Sequence, residues 1–329
     1  MHWSGEKEII CHQKNLGLKE HVFFCGELSS KYGSVIVLED DLYVSPAYYA
    51  YAQIALKSCD STQIAGIALY NNSLDEAASL PFQPLKGQDD YYLMQVPCSW
   101  GQAWSRKQWM DFKKWFISDY DKEQLNHLPK AIQLWSEHSW KKPYFAYLKS
   151  TDKFFVYPYW SYSMNLNELG TNVNSKSFKF LNSLSLNSTL IDFNFESTPK
   201  YDSAYMVMSD YLNSMTKTLK EYDYEVDFYG TKLNSFCDEQ WIITTLPTSQ
   251  HVKSFGLELM PIELNVILEI EGNELFLTQK RHIYSNKIRN TIIKYFYPVP
   301  KWYYPYFQLP ILKRLFGTFA YSFKKLFGQ

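Results

Sequence analysis

The sequence has 329 residues and a formal net charge of -1, from 33 Lys and Arg against 34 Asp and Glu. The charges are segregated: no acid follows Glu274, whereas Lys280, Arg281, Lys287, Arg289, Lys294, Lys301, Lys313, Arg314, Lys324 and Lys325 do, so the tail carries +10 and the body -11. This excludes a uniformly basic nucleic-acid binder and directs the tail to an anionic surface, while 46% hydrophobic residues exclude wholesale disorder. Aromatic residues are 18% of the chain, and the 27 Tyr and 10 Trp among them offer flat faces with polar edges, which suit sugars or bases. Cys11, Cys25, Cys59, Cys98 and Cys237 are scattered, without metal-ligand spacing, and indicate a reducing compartment. No secretory leader pattern opens the chain, and no apolar run reaches the roughly 18 residues of a membrane span.

In chain order, residues 7–14 have a β-like character, and the following segment has helical apolar spacing at Leu18, Val22, Phe23 and Leu28. Ser34 to Leu38 (SVIVL) is apolar on both faces and predicts a central, doubly covered strand. Ser45 and Pro46 predict the cap and first position of a helix over Ala47 to Leu56, and Ile64 to Tyr70 predicts the next strand. The alternation favours an α/β fold with a parallel or mixed sheet flanked by helices. Residues 86–116 read as a strand, a Trp-Gly turn and an amphipathic helix. The Ser/Asn-rich stretch from about 161 to 200 reads as loops, and 221–230 as a half-exposed strand. Residues 1–275 form one body, and 276–329 a basic aromatic tail.

Within the tail, Ile311, Leu312, Leu315, Phe316, Phe319, Phe323, Leu326 and Phe327 share one face of a helix over 311–327, with Lys313, Arg314, Lys324 and Lys325 opposite. That layout fits an interfacial helix on an anionic membrane surface. The alternative is a helix docked on the body with its lysines in solvent.

The chemistry concentrates at Glu39, Asp40 and Asp41, directly after SVIVL. Ligands of open α/β sheets sit beyond the carboxyl ends of strands, and three carboxylates there call for a hard divalent ion such as Mg²⁺ or Mn²⁺ with phosphate oxygens. Side-chain alternation puts Glu39 and Asp41 on one side and Asp40 on the other. No Walker, dinucleotide-binding, nucleophile-elbow or zincin motif competes. A solvated acidic turn is the plainer alternative.

VIVLEDDLYVSPAYYAYAQIAL resembles the acidic-motif segment of GT-A glycosyltransferases, in particular the N-acetylglucosaminyltransferase I-like family and bacterial surface-polysaccharide glycosyltransferases. Also similar are NLGLKEHV, LPFQPL with DDYYLMQVPCSWGQAW, FFVYP at Phe154 to Pro158, DYEVDFYGTK and SFGLELMPIELNVI, so the resemblance spans roughly residues 7 to 270. It implies a metal-dependent glycosyltransferase that moves a sugar from a nucleoside-diphosphate donor to a glycan or lipid-linked glycan acceptor, with inversion, at the cytoplasmic face of the plasma membrane. Asp41 is then the ligand of Mn²⁺ or Mg²⁺, with Asp40 and Glu39 on the donor's ribose or sugar. The inverting reaction needs a general base. Glu137 takes that place, with Asp152 and the Asp89/Asp90 pair as rivals.

In WGQAW, a turn at Gly101 would bring backbone near the donor, with Trp100 and Trp104 as walls and Arg106 and Lys107 near phosphate. The other reading makes the indoles core and the cations solvated. Compared with the family, a strand-helix-strand with donor-base contacts is missing before residue 7, which implies an N-terminally truncated GT-A fold. A non-catalytic membrane-associated scaffold that has lost donor binding is therefore the alternative function.

Overall fold

The computed structural model describes residues 5–59, 63–166, 182–186, 193, 195, 197–232 and 241–284. The first part of the chain contains α1 (Gly17–Tyr32), β1 (Ser34–Val37), β2 (Leu42–Val44), α2 (Tyr48–Ser58), β3 (Ile64–Ala68), β4 (Leu74–Asp75), β5 (Leu80–Pro81), β6 (Tyr91–Met94) and β7 (Gln102–Ser105). There follow α3 (Arg106–Ser118), α4 (Lys130–Gln133), α5 (Lys141–Ser150), β8 (Phe154–Pro158), β9 (Ser163–Asn165) and β10 (Lys200–Tyr201). The last elements are α6 (Ser209–Met215), β11 (Tyr224–Val226), β12 (Trp241–Thr244), β13 (Lys253–Phe255), α7 (Glu263–Ile267) and β14 (Leu275–Gln279).

The main sheet runs β1-β7-β3-β8-β6-β10 and is mixed: β3/β8 and β6/β10 are parallel, the other pairs antiparallel. Period-two alternation divides its side chains between two cores. Tyr92, Met94, Trp104, Phe155 and Tyr157 pack on the face covered by α1, α3 and α5. Tyr91, Leu93, Ala103, Phe154 and Val156 pack on the other, with Tyr51, Ala52 and Ala55 of α2. The chain is thus α/β with helices on a mixed sheet, as the alternation predicted.

Local chemistry accounts for the helices that frame the site. Ser105 and Gln108 form a reciprocal capping box at the start of α3. Trp109, Phe112 and Trp115 then recur at helical spacing and are buried. Helix α1 ends at Gly33, whose positive φ of 86° lets its N–H reach Ser29 O. Gly26 gives α1 a close approach to α3, because a Cβ there would lie 2.4 Å from the Trp109 indole. For α2, Ser45 Oγ accepts from Ala47 N–H at 3.0 Å, and the helix begins at Tyr48.

Three expectations are corrected. Residues 7–14 form no strand. β1 is not central: among the described residues it pairs only with β7 and forms the sheet edge. Val35 and Val37 pack on one core and Ile36 on the other, so both faces are covered as the apolar run implied. Coverage of faces does not fix a strand's place in the order, and the centre is taken by the more buried β3 and β8. Finally, β14 lies between β12 and β13 in a second sheet, β11-β12-β14-β13, so the body continues through the 275/276 boundary to Tyr284. The 311–327 helix lies outside the described residues.

Candidate functional site

The acidic triplet follows β1 and turns the chain into β2. Leu42 N–H donates to Glu39 O at 3.3 Å and closes the turn. Glu39 and Asp41 are half-buried and Asp40 is exposed, the division that side-chain alternation predicted. β2 pairs with β9 with Leu42 opposite Asn165, which brings the Asn165 amide beside the triplet. Its Nδ2 donates to Asp41 Oδ2 at 2.9 Å, and Leu166 N–H donates to Asp41 O at 3.0 Å. The second carboxylate oxygen, Asp41 Oδ1, is buried and has no hydrogen-bond partner. A buried acceptor without a donor is costly unless something else fills its place.

Burial pushes the Glu39 carboxyl up to about 7; Asp41 adds to the rise, Lys141 opposes it, and Asp40 adds further. Lys141 opens α5 and is anchored by both oxygens of Glu76, at 3.2 and 3.0 Å. The rings of Trp135 and Phe145 lie 5.0 and 5.8 Å from its Nζ. Tyr205, whose φ is +63°, donates its hydroxyl to Glu76 at 3.0 Å. The charge of Lys141, held in place by Glu76, therefore acts on the triplet. Sequence reasoning missed Lys141, Glu76, Asn165 and Tyr205, because no local motif marks them and the fold brings them in from four separate segments.

The WGQAW turn is at the triplet's end of β1, since Gln102 pairs with Val37. Gly101 has φ 90°, and its carbonyl accepts from Leu69 N–H at 2.9 Å. A Cβ at Gly101 would meet Ser163 Oγ at 3.1 Å and Leu69 at 3.2 Å, so this glycine serves a backbone approach to β3 and β9. Trp100 is half-buried, edge-on to Tyr70 at 4.8 Å, and its carbonyl accepts from Ser163 Oγ at 2.5 Å. Trp104 is wholly buried against Trp109, Trp140 and Tyr144, which makes it core.

Arg106 does not join the triplet. Its N–H donates to Gly33 O at 2.7 Å, at the opposite end of the β1/β7 pair, roughly 10 Å of strand away, and it is exposed. Lys107 pairs with Asp111 at 3.1 Å. Glu137 is an exposed carboxylate tied to Lys142 at 2.5 Å and to Lys122 at 3.6 Å. The hydrogen bond from Lys142 and its charge hold Glu137 below its ordinary range. Consecutive lysines thus diverge at the start of α5, Lys141 toward Glu76 and the triplet, Lys142 toward Glu137. Of the rival bases, Asp152 accepts from Gln95 Nε2 at 2.9 Å, and Asp90 pairs with Lys86 at 2.8 Å.

Among the described residues, no three His, Cys, Asp or Glu side chains converge as a metal-holding group, and no helix is long and apolar enough to cross a membrane. No protein-family model matches the chain, and no curated protein matches it.

Proposed function

We propose that the chain is a metal-dependent glycosyltransferase of GT-A type, which moves a sugar from a nucleoside-diphosphate donor to a glycan acceptor. The observation that carries this reading is the divided carboxylate of Asp41, one oxygen fixed by Asn165 and the other buried with no donor. Mg²⁺ and Mn²⁺ are commonly held by one or two carboxylates, with phosphate oxygens and water completing the shell. A single well-oriented protein ligand therefore fits such an ion, whose Lewis acidity would neutralise charge on the leaving diphosphate. In this reading Asp41 holds the ion, Glu39 and Asp40 address donor hydroxyls, and Lys141 faces the same charge from α5. Trp100 walls the donor side, Gly101 shapes the turn beneath it, and Arg106 has no part.

The second reading, a non-catalytic relative, draws on the displacement of Arg106 from the triplet and on the engagement of Glu137 with two lysines. One experiment separates them. Thermal unfolding is followed with Mn²⁺ and each common nucleoside diphosphate, alone and together, since a ligand of the native state raises its stability. The glycosyltransferase reading expects one diphosphate to stabilise the protein only with metal, and Asp41→Asn to abolish the effect. If no diphosphate shifts the transition, the non-catalytic reading stands.

A further inference from the structure

The β4–β5 hairpin, the segment after β11 and the start of α7 enclose a cavity of about 20 Å³, apart from the acidic triplet. Asp75 and Glu263 line it, and they are 1% and 3% exposed. Asp75 Oδ1 accepts from the N–H groups of Ala77 and Ala78 at 2.7 and 2.8 Å, but Oδ2 has no partner. Glu263 Oε2 has none either. Two buried carboxyl groups, each with an unpaired oxygen, thus border one small cavity, where an unmet acceptor is expensive. The remaining walls include the rings of Phe82, Tyr205, Phe228 and Tyr229 and, among the described residues, contain no Lys, Arg or His. Pro81, Gln83 and Met260 are exposed at its rim.

The groups facing these acids are mostly of like sign. Asp202 and Glu76 act on Asp75, although Asp202 is itself paired with the buried Lys232; Glu263 faces Tyr201 and Tyr211, and a hydrogen bond from Tyr201 opposes its rise. Burial, the largest cause in both, pushes Asp75 up to about 8 and Glu263 up to about 7. The size of the cavity admits a single water-sized group, because about 10–15 Å³ is enough for one. Of such groups, a neutral one requires both acids to stay protonated, whereas a cation lets them ionise. An ammonium group has the same bulk, three N–H donors and a positive charge, and aromatic rings attract it.

We propose that this cavity binds the ammonium head of a primary amine, held between Asp75 and Glu263 within the aromatic walls. The amine enters as its ammonium ion; an acid that was protonated gives its proton to solvent and remains as the paired carboxylate. Tyr205 connects the two regions, since it lines the cavity and donates to Glu76, the partner of Lys141. The inference does not depend on glycosyl transfer and would stand if the chain bound no donor.

The test uses the whole chain with ethanolamine, and with ethylene glycol as the neutral partner in which a hydroxyl replaces the ammonium. Thermal unfolding and titration calorimetry are run near neutral pH at constant ionic strength, the latter in buffers of different ionisation enthalpy. Ethanolamine at tens of millimolar is expected to raise Tm by about 2 °C and to release protons, with no comparable effect of ethylene glycol. Asp75→Asn and Glu263→Gln should each weaken the ethanolamine response about tenfold. Equal stabilisation by ethylene glycol, absence of any response, or an unchanged response in both variants overturns the proposal. If a variant does not fold, the comparison of the two probes and the proton release on the parent protein decide.

Discussion

Asn165 Nδ2 lies 2.9 Å from Asp41 Oδ2 and so fixes one oxygen of a carboxylate whose other oxygen is buried and unpaired. The bond crosses from β9 to the end of the acidic turn, so the orientation of Asp41 depends on the β2/β9 pairing as well as on β1. Asn165 is thus a positioning residue in the proposed metal site. Asn165→Ala should weaken Mn²⁺-dependent diphosphate binding by about 1.5–3 kcal/mol, the usual worth of a hydrogen bond to a charged group. Asp41→Asn should remove it altogether. Calorimetric titration of both variants with Mn²⁺ and the stabilising diphosphate measures the difference; an Asn165→Ala protein that binds like the parent would refute the positioning role.

Glu137 provides a contrasting case. Its carboxylate is held low by Lys142, whose own side chain is nearly buried and has Trp135 O as its other acceptor at 3.0 Å. A group kept ionised by two lysines is poorly matched to proton uptake near neutral pH. Glu137→Gln is therefore expected to reduce turnover less than tenfold and to lower stability slightly. A loss of about 100-fold or more in kcat, with Tm unchanged, would restore Glu137 as the general base.

Much of the fold could be anticipated from local sequence, and the gaps have physical causes. Ser105, Gln108 and the buried stripe of α3 carry their own signals, as does the apolar run of β1. The edge position of β1 does not, because a strand covered on both faces has the same composition at the rim as in the middle. The triplet was legible as a turn after a strand, yet its tuning is not local. Lys141, Glu76 and Asn165 reach it only after α5, the β4–β5 hairpin and β9 have packed. Trp104 and Trp100 share one motif, but Trp104 lies within β7 and is buried, whereas Trp100 lies in the turn before that strand and is half-open.

Lys232 is 1% exposed and bridges Asp202 and Glu225, joining the loop after β10 to β11 of the second sheet. Removing one partner of a buried pair leaves an uncompensated charge and typically costs about 3–5 kcal/mol. Lys232→Met should lose stability on that scale in urea unfolding, with m unchanged. A loss below about 1 kcal/mol would mean that solvent reaches the carboxylates.

Gly26→Ala should also destabilise the protein, because its Cβ would lie within 2.4 Å of the Trp109 ring, which is itself buried. Forced overpacking of this kind costs about 1–3 kcal/mol. Helix propensity alone would favour the substitution, so a measured gain in Tm would show that α1 moves freely against α3.

Asp75 and Glu263 give stability a pH dependence of defined sign. Their folded values of about 8 and about 7 lie above the ordinary range of unfolded carboxyls, roughly 4. Between those limits the folded chain binds more protons than the unfolded one, so stability falls as pH rises. The contribution is fully present below the unfolded values and is lost as pH passes through the folded ones. Denaturant midpoints between pH 5 and pH 8 should therefore decline, and Asp75→Asn should flatten the decline. A profile that rises over this window in the parent protein would contradict the burial of both acids as neutral groups.

The order of strands in the main sheet also sets the course of its assembly. β3 pairs in parallel with β8, Ile64 against Phe154, and β6 pairs with β10, Leu93 against Lys200. None of these contacts is available to a nascent chain until the later strand has left the ribosome, and closing such long loops is slow. The apolar strands made first, β1 and β3, must wait exposed for partners encoded much later. Folding of this protein is accordingly expected to be late and concerted, with the early strands the segments most in need of a chaperone.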